Sequence, residues 1–118
     1  MRSLSSFPAI FVCPQAVDFR KGRKSLAVLV QEMLAQNPFS ETLFLFVNRR
    51  HNTIKALYWD ATGFALWEKG LEEACFAWPK APWPPQIVLT PNQAQWLLDG
   101  VDIWKMKTHK KLDYSIVL

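Results

Sequence analysis

The 118-residue chain has no run of about 18 apolar residues, so a membrane-spanning helix is not expected. Glycine is scarce, with four residues, and none sits in the GxxxxGK[ST] spacing that cradles phosphates. Two cysteines, Cys13 and Cys75, and two histidines, His51 and His109, stand too far apart for a CxxC, HxH or HxxxH pair. No metal and no cofactor are therefore expected. The thiols read as buried, reduced side chains of a cytoplasmic protein. The start, MRSLSSFPAIFVCPQA, places Arg2 ahead of a short apolar segment in the manner of a signal peptide. Pro8 interrupts that segment and no small-residue cleavage site follows, so it reads as a first strand.

What is present fits a globular domain. Half of the residues are hydrophobic and 20% are charged, the balance of a chain with one real core. The length suits one domain over 1–118, with its core in 9–104 and a basic tail in 105–118. A net charge of +4 permits attraction to a polyanion or an acidic partner without selecting between them.

Residues 9–13, AIFVC, are β-formers bounded by Pro8 and Pro14. Leu26, Leu29, Val30, Met33 and Leu34 then recur at helical spacing, which predicts a long N-terminal helix ending near Gln36, ahead of Asn37-Pro38. The segment 41–47, ETLFLFV, is apolar without alternation, as in a strand covered on both faces. Strands are expected again over 53–59, 64–69 and, shorter, 75–78. Brief connections require antiparallel neighbours. Thr90, Pro91 and Gln93 form a capping box ahead of a second, short helix that Gly100 stops. The expected fold class is α+β: an antiparallel meander of three to five strands packed on the long helix, with the short helix near the C-terminus.

The chain carries ten acidic residues, the side chains a catalytic metal site would draw on. Asp18, Asp60, Asp99 and Asp102 lie beside turns or helix ends, where backbone needs explain them, and no nucleophile elbow appears. The chain is expected to be no enzyme. Cations are more informative. Arg20, Lys21, Arg23 and Lys24 crowd the entry to the first helix and oppose its dipole by about 0.3–1 kcal/mol each. Arg49, Arg50 and His51 stand at a hairpin tip. The role of Lys55 depends on the loop after Asp60. An even loop sets Trp59 against Phe64 and Lys55 against Glu68, a neutral, core-like face. An odd one puts Lys55, Trp59, Trp67 and Lys69 on one face, as a base-stacking platform requires.

The order of motifs DFRKG, NPFS, FLFVNRR, IKALYWDATGF, FAWP and LTPNQ resembles the small accessory protein encoded by the second reading frame of insertion-sequence-66 elements, known as TnpB. The likeness runs roughly from Phe11 to Asp102. It implies a bacterial, non-catalytic accessory protein of DNA transposition, acting beside a large transposase that carries the catalytic carboxylates. By resemblance, the family motif positions are Asp18, Arg20, Lys21 and Gly22, then Arg49 and Arg50, Ile54 and Lys55, and Trp59, Asp60 and Gly63. The chain departs from the family pattern at Glu72 and Glu73, where cations are typical, and at His51 and Asn52, where a glycine is common. The expected partners are the transposase and DNA, contacted through Arg20, Lys21, Arg49, Arg50 and Lys55. In that setting the protein is expected in the cytoplasm, at the nucleoid if it binds DNA. A protein-interaction module without nucleic-acid contact, using the Pro/Trp segment 81–86 and the Trp59/Trp67 surface, is the alternative.

Overall fold

The computed structural model describes residues 1–20 and 22–105. Its elements are β1 (Ile10–Val12), α1 (Arg23–Leu34), β2 (Leu43–Val47), β3 (Thr53–Asp60), β4 (Gly63–Gly70), β5 (Val88–Leu89) and α2 (Pro91–Leu98). The class is α+β, and the five strands form one sheet in the order β4-β3-β2-β1-β5. None of the described helices is long and apolar enough to cross a membrane.

The sheet is mixed, which corrects the expected antiparallel meander. β2, β3 and β4 do run antiparallel through short turns, but β1 pairs with β2 in parallel, Ile10 opposite Leu43 and Val12 opposite Leu45. The connection between them contains α1, and a crossover of that length frees the second strand to return in the same direction. β5 then pairs antiparallel with β1 on its other side. α1 itself has 12 residues, about 18 Å, and is not especially long.

β2 is buried at every position because both faces of the sheet are covered. Phe44 and Phe46 join Phe11, Leu57, Leu26 and Val30 in the core beneath α1. Leu43, Leu45 and Val47 join Ile10, Val12 and Ile54 in the opposite core, closed by Leu97 of α2 with Phe76 and Trp78. Each such side chain contributes about 1.5–3 kcal/mol by leaving water. The buried stripe of α1 is Leu26, Ala27, Val30 and Leu34, whereas Met33 is left 38% exposed. α1 ends at Leu34, with Ala35 left-handed at φ 53°, two residues short of the expected stop.

At α2 the local code is read as written. The Gln93 amide donates to the Thr90 hydroxyl at 3.1 Å, and the Gln93 side chain accepts from the Thr90 amide at 2.9 Å. Past its C-terminus, Gly100 takes φ 91°, its N–H reaches Leu97 O at 3.0 Å, and the Val101 N–H reaches Trp96 O at 2.9 Å. The segment 75–78 is not a strand. It lies against the sheet as an irregular strap, with Trp78 Nε1 donating to Cys13 O at 2.9 Å. Cys75 is exposed, contrary to the expectation of two buried thiols, and both cysteines are free.

Candidate nucleic-acid interface

The β2–β3 turn is organised by one side chain. Asn48 Oδ1 accepts from the Asn52 and Thr53 amides at 3.0 and 3.1 Å, and Asn48 Nδ2 donates to Asn52 Oδ1 at 2.7 Å. His51 closes the turn with a left-handed backbone, φ 60°, and its N–H donates to Asn48 O at 3.0 Å. From behind, the amides of Leu71 and Phe76 donate to Asn52 O and His51 O at 2.8 and 2.6 Å. The exposed Cys75 thiol reaches Arg50 O at 3.3 Å. Every contact falls on backbone or on the asparagines, so the exposed Arg49 and Arg50 side chains project from a fixed base.

The second bend follows β1. After Cys13 the chain leaves the sheet and returns at Val17, whose N–H donates to Val47 O at 3.0 Å beside a parallel bridge to Asn48. Asp18 then accepts from the Arg20 amide at 3.0 Å and from the Arg20 guanidinium, Nε to Oδ1 at 3.0 Å and Nη2 to Oδ2 at 2.6 Å. The hydrogen-bonded guanidinium holds the Asp18 carboxyl well below the usual carboxylate range, and Arg49 adds a smaller pull in the same direction. The same pairing raises the pKa of Arg20. Arg20 remains 89% exposed, so the pair trims its charge without hiding it.

These bends meet. Residues 17–20 and 48–50 line one shallow depression of about 380 Å³. The parallel pairing of β1 and β2 is the cause, since it places the C-terminal ends of both strands, and the loops leaving them, on one side of the molecule. An antiparallel β1 would have sent the 18–20 loop to the opposite end.

Lys55 plays a different part from Arg49 and Arg50. Its Nζ donates to Phe19 O at 3.1 Å and sits 4.9 Å from the Phe19 ring, so it ties β3 to the 18–20 loop. Sequence reasoning missed Phe19, Asn48 and Cys75 as the supports of this surface. Only the NRRHN asparagine spacing offered a signal, because Asn side chains commonly bind backbone amides in turns. Lys21 and most of the basic tail, 106–118, lie outside the described residues. Gly22 is the N-cap of α1.

The remaining motif residues are elsewhere. The even register holds, with Trp59 opposite Phe64, Leu57 opposite Leu66 and Lys55 opposite Glu68. Trp59 and Trp67 therefore lie on opposite faces, and the base-stacking platform of the odd register does not form. Asp60 and Gly63 pair across the β3–β4 turn, where Ala61 rather than glycine takes positive φ, 55°. Trp59 packs edge-on against Phe39 and Phe64, ring centres 5.0 Å away in each case. Asp18 and Asp60 stand near opposite ends of β3, about 25 Å of strand apart, too far to share a metal ion. Among the described residues no group of three or more His, Cys, Asp or Glu side chains is placed to hold one. Cys13 is buried, and burial pushes its thiol up to about 11.

Comparison with known proteins places this architecture. No solved structure matches the chain. It is 35% identical over 96 residues to the uncharacterized protein y4hO of Sinorhizobium fredii (strain NBRC 101917 / NGR234), covering 81% of this chain and 82% of that one. It is 32% identical over 98 residues to the uncharacterized protein y4jC of the same strain, covering 83% of each. Residues 8–108 match the family model described as IS66 Orf2 like protein, TnpB_IS66, a stretch that takes in both bends, the whole sheet and both helices. The chain thus belongs to the IS66 Orf2-like family of transposon accessory proteins.

Proposed function

We propose that this protein serves transposition without catalysing it, by binding the DNA backbone through the surface where the 18–20 and 48–52 bends meet. The observation that supports this reading is the convergence of Arg20, Arg49 and Arg50 from two separate loops, each exposed and each set on a hydrogen-bonded base. Guanidinium groups suit phosphate, which they bind in a bidentate fork. Lys55 positions the surface through Phe19, and Asp18 orients Arg20. Such contacts position a duplex and carry little sequence information, so recognition of the element ends falls to the transposase.

Duplex DNA titrated against the full chain tests this. Log K is expected to fall linearly with log salt, with a slope of about −0.9 for each phosphate contacted. The double substitution Arg49→Glu/Arg50→Glu is expected to flatten that slope by about 2 and leave folding intact. Affinity that ignores salt, or survives the double reversal, rejects the reading.

A second reading is protein docking without DNA. It is favoured by Trp96 and Val101, 43% and 40% exposed, which form an apolar edge where α2 ends, and by Trp83 at 40%. Capture of the cognate transposase from nuclease-treated extract, lost on Trp96→Ala, would support it over DNA binding.

A further inference from the structure

A second depression lies on the α1 side of the sheet, between α1 and the edge strand β4. It is an open groove of about 880 Å³, in the size range of sites that take one small organic group. Arg23 and Lys24 stand at one end, Val28 flanks it, and Phe39, Trp59 and Phe64 form the other end. Phe39 is 54% exposed and Val28 46%, an apolar exposure that no described element covers.

The charge at this groove is one-sided. The described ion pairs are Arg20–Asp18 and Lys105–Asp102, so Arg23 and Lys24 have no carboxylate within 4.0 Å among the described residues. The first turn of α1 holds no acidic residue, and its N-cap, Gly22, supplies no side-chain acceptor. Two exposed cations therefore add to the positive end of a helix dipole, an arrangement that favours an anion. The neighbouring depression shares Phe39 and Trp59 with the groove and is lined by Glu41 and Asp60 with Arg2, so carboxylates border the aromatic residues while Arg23 and Lys24 line the groove itself.

The cationic end of the groove is also close to the two-bend surface. Arg23 follows Arg20 by three positions, a reach of at most about 11 Å, which is a few nucleotide steps of 3.4 Å along one strand. One strand can touch both.

We infer that the groove between α1 and β4 receives an unpaired DNA strand leaving the duplex held by the two bends, with phosphate at Arg23 and Lys24 and a base against Phe39 and Trp59. The inference rests on the DNA-binding reading above and adds a substrate class to it: a junction of double- and single-stranded DNA. Aromatic faces accept any base, so this contact is structure-selective rather than sequence-selective.

The test compares three fluorescent probes on the full chain: a blunt duplex, the same duplex with a short unpaired thymidine overhang, and the single strand alone. The overhang is expected to tighten binding by about 5- to 150-fold, the worth of one stacked base. It is also expected to quench tryptophan emission, a signal that Trp59→Phe removes. Phe39→Ala, at a half-exposed site, is expected to return the overhang probe to the blunt value, and Lys24→Glu to do so in part. If the blunt duplex binds and the overhang adds nothing, or its gain survives Phe39→Ala, the groove inference fails and the two-bend reading stands. If none of the probes binds, both fail.

Discussion

β3 ends in two turns that are opposites in construction. The β2–β3 turn is long, stapled by Asn48, clamped by the amides of Leu71 and Phe76, and crowned by Arg49 and Arg50. The β3–β4 turn has two central residues, Ala61 and Thr62, no asparagine staple, and acidic Asp60 at its base. A long turn held from behind can present large charged side chains without losing its shape. A two-residue turn chiefly sets the register, and here that register decides which face each tryptophan occupies.

The contrast can be broken at the staple. Asn48→Ala leaves the Asn52 and Thr53 amides without their acceptor, and should cost about 2 kcal/mol in a denaturant melt. It should also weaken duplex binding, because the arginines lose their base; a melt unchanged by this substitution would make the two turns equivalent after all. Next in size is Lys55→Met, which keeps the aliphatic stem and removes the bond to Phe19 O. A loss of about 1 kcal/mol is expected, with faster amide exchange confined to the 17–20 segment. The smallest effects sharpen the comparison. His51 and Ala61 both hold left-handed backbone, so His51→Gly and Ala61→Gly should each relieve strain and raise stability by about 0.5 kcal/mol, read as a small rise in Tm. Equal gains at the two positions are expected if backbone conformation alone sets them. A loss at His51 would show that its side chain contributes to the clamped turn.

A second contrast is between the two surfaces on either side of Gly22. The two-bend surface is guanidinium-rich and tempered by Asp18. The groove beside α1 is aromatic, with cations at one end and no tempering carboxylate there. The junction-DNA titration separates them, since salt should act most on the first and Phe39→Ala on the second.

Elements whose cause is local were legible in the sequence. The Thr90–Gln93 box, the Gly100 stop, the unbroken apolar run of β2 and the helical spacing through Leu26, Val30 and Leu34 all appear where the residues place them. The misses have non-local causes. Met33 has the right spacing for the buried stripe, but the sheet beneath α1 meets Ala27 instead. Cys75 reads as apolar, yet the strap carrying it turns its side chain outward to Arg50. The bond from Lys55 to Phe19 O, between residues far apart in sequence, also has no local signal. The family motif residues Asp18, Arg20, Arg49 and Arg50 were visible as a set, but the sequence gives no distance between them.

By itself, then, the sequence determined the two helices, the strands β1 to β4, the caps of α2, the two-sided burial of β2 and the cationic content of two bends, because periodicity and short-range hydrogen bonding act over a few residues. The tertiary structure alone decided that those bends share one surface. That outcome depends on β1 and β2 running the same way, a pairing across α1 that side-chain patterns within either strand do not encode. The two residues between Asp60 and Gly63 likewise set a parity that only the formed hairpin reveals, and with it the separation of Trp59 from Trp67 onto opposite faces.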